Sequence, residues 1–442
     1  MIDNAIEFSK KLLPALGNKI HLVSHFDSDG ITSAAIISKT LERLNKPFSL
    51  KIIKQLSQEE IDLFPKNKLI LMLDLGSGSL EALGKIPNQI FIIDHHEIDA
   101  NLIPSNVTIL NPHLAKEYEE LCGAELSYLV SRAISENNKN LSHLAVIGMI
   151  GDTMEKNINK TRNVILKETD VTIRTGLLIY PSTRPLDKAL EYSPRPFIPG
   201  VTGDPKGTFE LLKEVGIEKI NNKFKSLIEL DEKEMKNLVT SVMLRLCSRE
   251  NSAEYLGNLY LIKMFNKLED ARELSAIINA CSRMDRSEVA LLLCLGNLSA
   301  RKKAERVYVK YRQHIISGLR YIDKHEKIQG REYVIINAKD QIKDTIIGTL
   351  TSILSFSSAY REGTILVAMA YNKDKIKVST RMVGRNSSSG RNLKELMDSI
   401  TLLLGGESGG HKKAAGCTIN KDQEEKFIEL VKKKLEIEMI KV

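Results

Sequence analysis

Short apolar runs alternate with helical periodicity through the first ~155 residues, which predicts a parallel α/β sheet. IHLVSH (20–25), LILMLDLG (69–76), IFIIDHH (90–96) and VTILN (107–111) read as buried strands. Helical patterns run from Gly30 through Leu44, over Gly123–Ser135 and over Leu141–Met154. Such sheets place their chemistry at the carboxyl ends of the strands. Here those ends carry His25, Asp74 and Asp94–His96. A Pro/Gly-rich stretch, YSPRPFIPGVTGDPKG (192–207), reads as a domain junction. Residues 208–330 are mostly helical in pattern, without sustained strand alternation. The remainder returns to α/β: REYVIINA, GTILVAMAYN and KIKVSTRMV read as strands, DTIIGTLTSILS and LKELMDSITLLL as helices. A Gly-rich segment and a last helix, DQEEKFIELVKKKLEIEMI, close the chain. The expected organisation is a parallel-sheet domain over 1–190, a mostly helical middle region over 208–330 and a smaller α/β domain over 331–442.

At 442 residues the chain suits two or three domains of about 150 residues each. With 42% apolar and 27% charged residues, wholesale disorder is excluded. The longest apolar runs, such as VALLLCLG (289–296), fall short of the ~18 residues a membrane span requires. The charged N-terminus has no apolar signal core, which argues against secretion. Cys122, Cys247, Cys281, Cys294 and Cys417 form no CxxC pair, so neither a disulfide framework nor a structural zinc site is expected, and the setting is a reducing cytoplasm.

Charge adds a partner class. There are 64 basic and 56 acidic residues, a formal balance of +8. Residues 301–330 hold nine Lys/Arg against three Asp/Glu, with Tyr308, Tyr311 and Tyr321 among them, and Lys373–Arg391 holds six basic residues against one acidic. Cations beside aromatic rings suit a single-stranded nucleic acid, whose phosphates meet the charges while its bases stack. A solvated helix face gives the same pattern.

Four acidic/His clusters carry the chemistry: His25, Asp27 and Asp29 in SHFDSDG; Asp74; Asp94, His95 and His96; and Asp152 after an apolar helix. A single Asp at a strand end is most often a cap. Four such clusters at successive ends are different, because buried carboxylates need compensation and a divalent cation provides it. Mixed Asp/His donors without Cys suit Mn²⁺, with Mg²⁺ or Fe²⁺ as rivals, and there are enough ligands for two ions.

HFDSDG (25–30), Asp74, DHH (94–96) and GDTM (151–154) resemble, in order, the four motifs of the DHH phosphoesterases. GGESGGHKKAAG (405–416) resembles the GGGHxxAAG signature of the DHH-associated C-terminal domain. SPRPFIPGVTG (193–203) and ARELSAIINACSRMDRSEVALLLCLGN (271–297) are similar to stretches of archaeal RecJ-like single-strand exonucleases. The resemblance implies that Asp27, Asp29, Asp74, His95 and Asp152 ligate metal, with Asp74 as the bridge. His25 joins them through the HxDxD form of the first motif, whereas other members place a ligand where Val23 stands here. Asp94 is expected to orient His95 through its second ring nitrogen, and His96 to face the scissile phosphate as donor or proton relay. Arg381 matches the family's substrate-binding arginine. Gly405, Gly406, Gly409 and Gly410 are expected to form a phosphate nest, with His411 as a further donor.

These features imply a two-metal, single-strand-specific exonuclease of replication or repair, acting 5′→3′ on DNA and also on RNA and releasing nucleoside monophosphates. The alternatives are a phosphodiesterase of oligoribonucleotides or cyclic dinucleotides, a 3′→5′ exonuclease, and a replisome scaffold that binds the GINS complex. Single-stranded DNA or RNA, and GINS, are the partners implied, and no membrane is.

Overall fold

Burial on both faces explains why two of the inner strands of the first sheet are apolar throughout. The strands of that sheet are β1 (Ile20–His25), β2 (Phe48–Ile53), β3 (Leu69–Leu73), β4 (Ile90–Ile93) and β5 (Val107–Leu110). Every residue of β3 and β4 is buried, as expected of a parallel sheet covered by helices on each side. The order is β2-β1-β3-β4-β5, all parallel. The order therefore reverses at β1, with β2 on one side and β3 on the other, a switch point where α/β sheets bind ligands. The structure is a computed structural model that describes the chain apart from residues 18, 180, 194, 195, 197, 247–254, 358, 385–390 and 441–442, and apart from side chains over 437–440. Parts of the 193–203 and 373–391 stretches, and Cys247, lie outside the described residues.

Helix α1 (Ile2–Ala15) lays Phe8 edge-on to Phe91, with ring centres 5.6 Å apart. Helix α2 (Ser28–Arg43) begins two residues earlier than its pattern suggests, because the Asp27 carboxylate accepts the Gly30 N–H at 3.0 Å and caps it. The short helices α3 (Gln58–Asp62) and α4 (Leu80–Leu83) add Ile61, Leu80 and Leu83 to a core with Val23, Ile70, Met72 and Ile92. Helices α5 (Gly123–Ile134) and α6 (Ser142–Gly151) pack against α2. Strand β2 was not legible in the sequence: it is an edge strand, FSLKII, of which only Ile53 is buried.

After α7 (Lys160–Glu168) comes β6 (Val171–Leu177), then α8 (Leu186–Glu191), α9 (Pro205–Glu214), the small hairpin β7 (Lys219–Ile220) and β8 (Lys223–Phe224), and α10 (Glu232–Leu246). Strands β9 (Leu256–Met264) and β10 (Lys267–Asp270) follow. These add strands to a region whose pattern reads as mostly helical. Strand β9 pairs antiparallel with both β10 and β6 in a three-stranded sheet. Its buried residues Leu259–Ile262 form a continuous run, so no period of two announces it. Ile198 and Val201 from the Pro/Gly-rich stretch are buried beside Leu177, Leu211 and Leu259. Helices α11 (Ala271–Arg283), α12 (Ser287–Cys294) and α13 (Leu298–Lys324) complete the region.

By contacts the chain divides into two units, Met1–Glu305 and Arg306–Val442. The second is built on a six-stranded sheet, ordered β11 (Ile328–Gln329), β12 (Tyr333–Asn337), β13 (Ile365–Asn372), β14 (Lys375–Met382), β16 (Ala414–Asn420) and β15 (Glu407–His411). Helix α14 (Asp344–Ser355) packs on β13 and β14, and α15 (Leu393–Leu404) on β15 and β16. Helix α16 (Glu424–Ile440) adds Phe427, Val431 and Leu435 to that core. No helix among the described residues is long and apolar enough to cross a membrane. Cys122, Cys281, Cys294 and Cys417 are buried and free.

Candidate metal centre

Each strand end delivers its side chain to one place. His25 ends β1, Asp74 follows β3, Asp94–His96 follow β4, and Asp152 caps the carboxyl end of α6. Three overlapping sets of side chains that could hold a metal ion result: His25, Asp27 and Asp74; Asp29, His95 and Asp152; and Asp74, His95 and His96. Within each set the candidate ligand atoms lie within 4.8 Å of one another.

Asp74 lies at the middle of this arrangement. One oxygen is 3.4 Å from His25 Nδ1 and the other 3.3 Å from His95 Nε2. Its backbone is left-handed, with φ 59°, a conformation that Asp and Asn adopt more readily than other side chains. His25 Nδ1 also lies 3.0 Å from Asp27, and His95 Nε2 lies 3.3 Å from Asp152 and 3.9 Å from Asp29. Asp29 is fully buried and accepts the N–H groups of Gly123 and Ala124 at 2.6 and 2.8 Å, so the amino end of α5 holds it.

Crowded charge shifts these groups strongly. Burial, reinforced by Asp74 and Asp152, holds the Asp29 carboxyl well above its ordinary value. Burial, then Asp74 and Asp27, push Asp152 up to about 7. Burial alone would lower the His95 imidazole, but Asp74, Asp29 and Asp152 lift it to about 10. His25 is raised against its burial by Asp27 and Asp74, and Asp27 is lowered against its own burial by His25. Asp74 Oδ1 and His25 Nδ1 are buried without a hydrogen-bond partner. Four mutually repelling carboxylates, with imidazoles and an orphaned oxygen among them, fit divalent cations such as Mn²⁺ or Mg²⁺.

One assigned role needs correcting. Asp94 meets the ring of His96, not of His95: its Oδ1 is 2.7 Å from His96 Nδ1. To His95 it offers only acceptance of the backbone N–H, at 2.8 Å. Its other oxygen accepts the Ser77 N–H at 2.9 Å. Against burial, His96 and Ser77 hold the Asp94 carboxyl below its ordinary range, and in return Asp94 raises His96. The physical reason is the strand exit, where the backbone folds over Asp94 and places the second histidine beside it.

Sequence reasoning missed several residues that shape the site. Asn111 donates to Ser77 Oγ at 3.0 Å and to the His96 carbonyl at 2.9 Å. Three glycines admit the close approach of ligand-bearing segments. A Cβ on Gly30 would stand 2.2 Å from the His25 carbonyl oxygen, on Gly123 2.8 Å from Asp29 Oδ2, and on Gly148 2.7 Å from Asp29 Oδ1. Gly30 and Gly123, in the first turns of their helices, were the available signal, whereas Gly148 lies inside α6.

Arg381, Gly409, Gly410 and His411 belong to the second unit. The expected glycine nest is instead a hairpin, with β15 as the edge strand paired to β16. Arg381 pairs with Ala414, which pairs with His411, so the three share one face in a row across three strands. The next row is Ser379, Gly416 and Gly409. Small residues thus floor a strip with Arg381 on one side and His411 on the other. The guanidinium donates to Ser352 Oγ at 3.1 Å and to the Thr380 carbonyl at 2.9 Å.

Residues 19–151 match the N-terminal domain of the DHH family, 179–259 the DHH-CID domain and 331–436 the DHHA1 domain. An uncharacterised protein of Methanocaldococcus jannaschii is 29% identical over 425 residues, covering 93% of this chain and 92% of that one. A Bacillus subtilis protein, provisionally named a prophage-derived single-strand DNA-specific exonuclease, is 30% identical over 210 residues, covering 43% of this chain and 35% of its own. The fold is similar to that of RecJ from Thermus thermophilus, crystallised with Mn²⁺. That match has a TM-score of 0.59 and 18% identity, and covers 97% of this chain and 54% of the longer Thermus chain. The donor set and these matches support a phosphoesterase that uses divalent metal. By its matched domains the chain belongs to the DHH family, and its fold is similar to that of RecJ.

Proposed function

We propose that this chain is a divalent-metal-dependent exonuclease that degrades single-stranded DNA, and RNA as well, from the 5′ end to nucleoside monophosphates. The observation that carries the reading is the convergence of His25, Asp27, Asp29, His95 and Asp152 around Asp74, whose two oxygens face different imidazoles. That position suits the bridging carboxylate of a two-ion site. Ions held there would supply Lewis acidity toward phosphate oxygens and bring the pKa of water toward neutrality. Asp29, clamped by the amino end of α5, and Asp74, fixed by its turn, hold their carboxylates in place without reorganisation. His96 has its Nδ1 occupied by Asp94 while the side chain is 54% exposed, which leaves Nε2 as the nitrogen available to the leaving oxygen. In the second unit, the Arg381–His411 strip would receive backbone phosphate. All the ligand positions are filled with competent residues, which favours a catalyst over a scaffold that has lost its chemistry.

The test is hydrolysis, with Mn²⁺, of single-stranded DNA about 30 nucleotides long labelled at its 5′ end, beside a dinucleotide and duplex DNA. Immediate release of labelled mononucleotide supports the reading. A ladder of shortening labelled fragments would reverse the polarity, and turnover of the dinucleotide alone would replace the exonuclease with a small-substrate phosphodiesterase.

A further inference from the structure

Ser28 stands between two ligand aspartates, and its backbone N–H is not held by its own helix. It donates to the side-chain oxygen of Asn279 at 2.9 Å, across 251 residues of sequence. Asn279 lies on α11, which packs on α2 and α6 and falls outside the three stretches matched to family domains. A second contact converges on the same spot. The space beside Gly151, the residue preceding Asp152, is closed by Ser28 Cβ at 2.8 Å and by Ser275 Oγ of α11 at 3.3 Å from where a Cβ would sit. The helix is also tied at each end. Arg272 pairs with Glu155, three residues beyond Asp152, at 2.8 Å, and Asp285, just past the helix, pairs with Lys54 at 2.9 Å.

We propose that Asn279 is a positioning residue of the metal centre. Through the Ser28 amide it fixes the turn that aims Asp27 and Asp29, while Ser275 seats the Gly151–Asp152 corner against that turn. Helix α11 is thus a strap that sets the spacing between the ligands of the first motif and Asp152. The inference rests on the metal-dependent reading above and deepens it. It needs no contact between Asn279 and metal or substrate.

Two variants separate positioning from bulk stability. Asn279→Leu keeps the side-chain shape and removes the acceptor, whereas Asn279→Asp keeps an oxygen in the same place. Hydrogen–deuterium exchange over residues 26–30 reads the clamp in metal-free protein, and calorimetric titration with Mn²⁺ reads the site. The leucine variant should exchange faster over that segment and bind Mn²⁺ roughly 10–100-fold more weakly, the scale of losing a group that orients a ligand. The aspartate variant should restore both. If the leucine variant does not fold, Asn279→Ser, too short to reach the amide, should give the same result. Exchange and Mn²⁺ affinity unchanged in the leucine or serine variant would overturn the role of Asn279 alone, as would an aspartate variant no better than either. A wild-type chain that takes up no Mn²⁺ would overturn the metal reading and the positioning role together.

Discussion

Glu125 and Arg162 form a bidentate ion pair, with Nε–Oε1 at 2.7 Å and Nη2–Oε2 at 2.8 Å and with neither side chain reaching solvent. Glu125 also accepts the Cys122 N–H at 3.0 Å, so it caps the helix whose next two amides grip Asp29. The remaining guanidinium donors reach the carbonyls of Met154, Asn157 and Glu120. One buried pair therefore links the segment after Asp152 to the amino end of α5. Arg162→Met should destabilise the fold by about 3–5 kcal/mol, because it strands a buried carboxylate. Urea unfolding should show that Arg162→Met with Glu125→Leu recovers much of the loss, since the unpaired charge is then gone.

The packing at Gly123 predicts a second outcome. A methyl group there would press on Asp29 Oδ2 at 2.8 Å and on Asp74 Cβ at 2.9 Å. Gly123→Ala should cost about 1–3 kcal/mol of stability through overpacking and weaken Mn²⁺ binding, both measurable by thermal melts with and without metal.

Asp74→Asn should reduce phosphodiester hydrolysis by at least ~10²–10³-fold, on the scale of removing a preorganised charged group. The metal-free protein should melt no lower than wild type, since one member of a repelling carboxylate cluster is neutralised. A lower melting temperature would mean that Asp74 holds the fold together rather than the metal.

Protonation gives a signed prediction. Asp152 moves from 3.8 to about 7 and His95 from 6.5 to about 10 on folding without metal. Both folded values are raised, so the stability they contribute is complete below the unfolded values and is lost as pH rises through the folded ones. Metal-free protein should therefore become less stable between about pH 4 and pH 7, with a further loss toward pH 10. Cation binding requires the deprotonated forms, so it should release protons and raise the melting temperature more at about pH 8 than at pH 6. Calorimetry in buffers of differing ionisation enthalpy measures the protons directly.

His96→Ala should lower kcat by about 10²–10⁴-fold, the range for a positioned proton donor, while Mn²⁺ affinity falls far less. Asp94→Asn should produce a smaller loss in the same direction, because the ring remains but its partner no longer fixes Nδ1. Equal loss of Mn²⁺ in both variants would make His96 a ligand instead.

Much of this architecture could be read from the chain, and the failures have physical reasons. Leu69–Leu73 and Ile90–Ile93 are apolar because both faces of their sheet are covered, and an acidic residue after such a run stands out. Strand β9 escaped notice because its buried residues Leu259–Ile262 run consecutively without a period of two, inside a stretch flanked by helical patterns. The glycines before His411 read as a phosphate nest, yet Gly410 lies in a hairpin, where a Cβ would meet the Ala414 carbonyl at 2.4 Å. Nor could the sequence decide which of two adjacent histidines Asp94 would serve, since that depends on a bend of the backbone. The Asn279–Ser28 contact is a tertiary event with no local trace.

The left-handed backbone at Asp74 has an evolutionary consequence. Besides glycine, asparagine is the residue that tolerates this conformation as readily as aspartate, and it differs only in lacking the charge. A single codon step could thus silence the proposed metal chemistry and leave the turn and the sheet as they were. A fold with that property can lose the proposed hydrolysis without first becoming unstable.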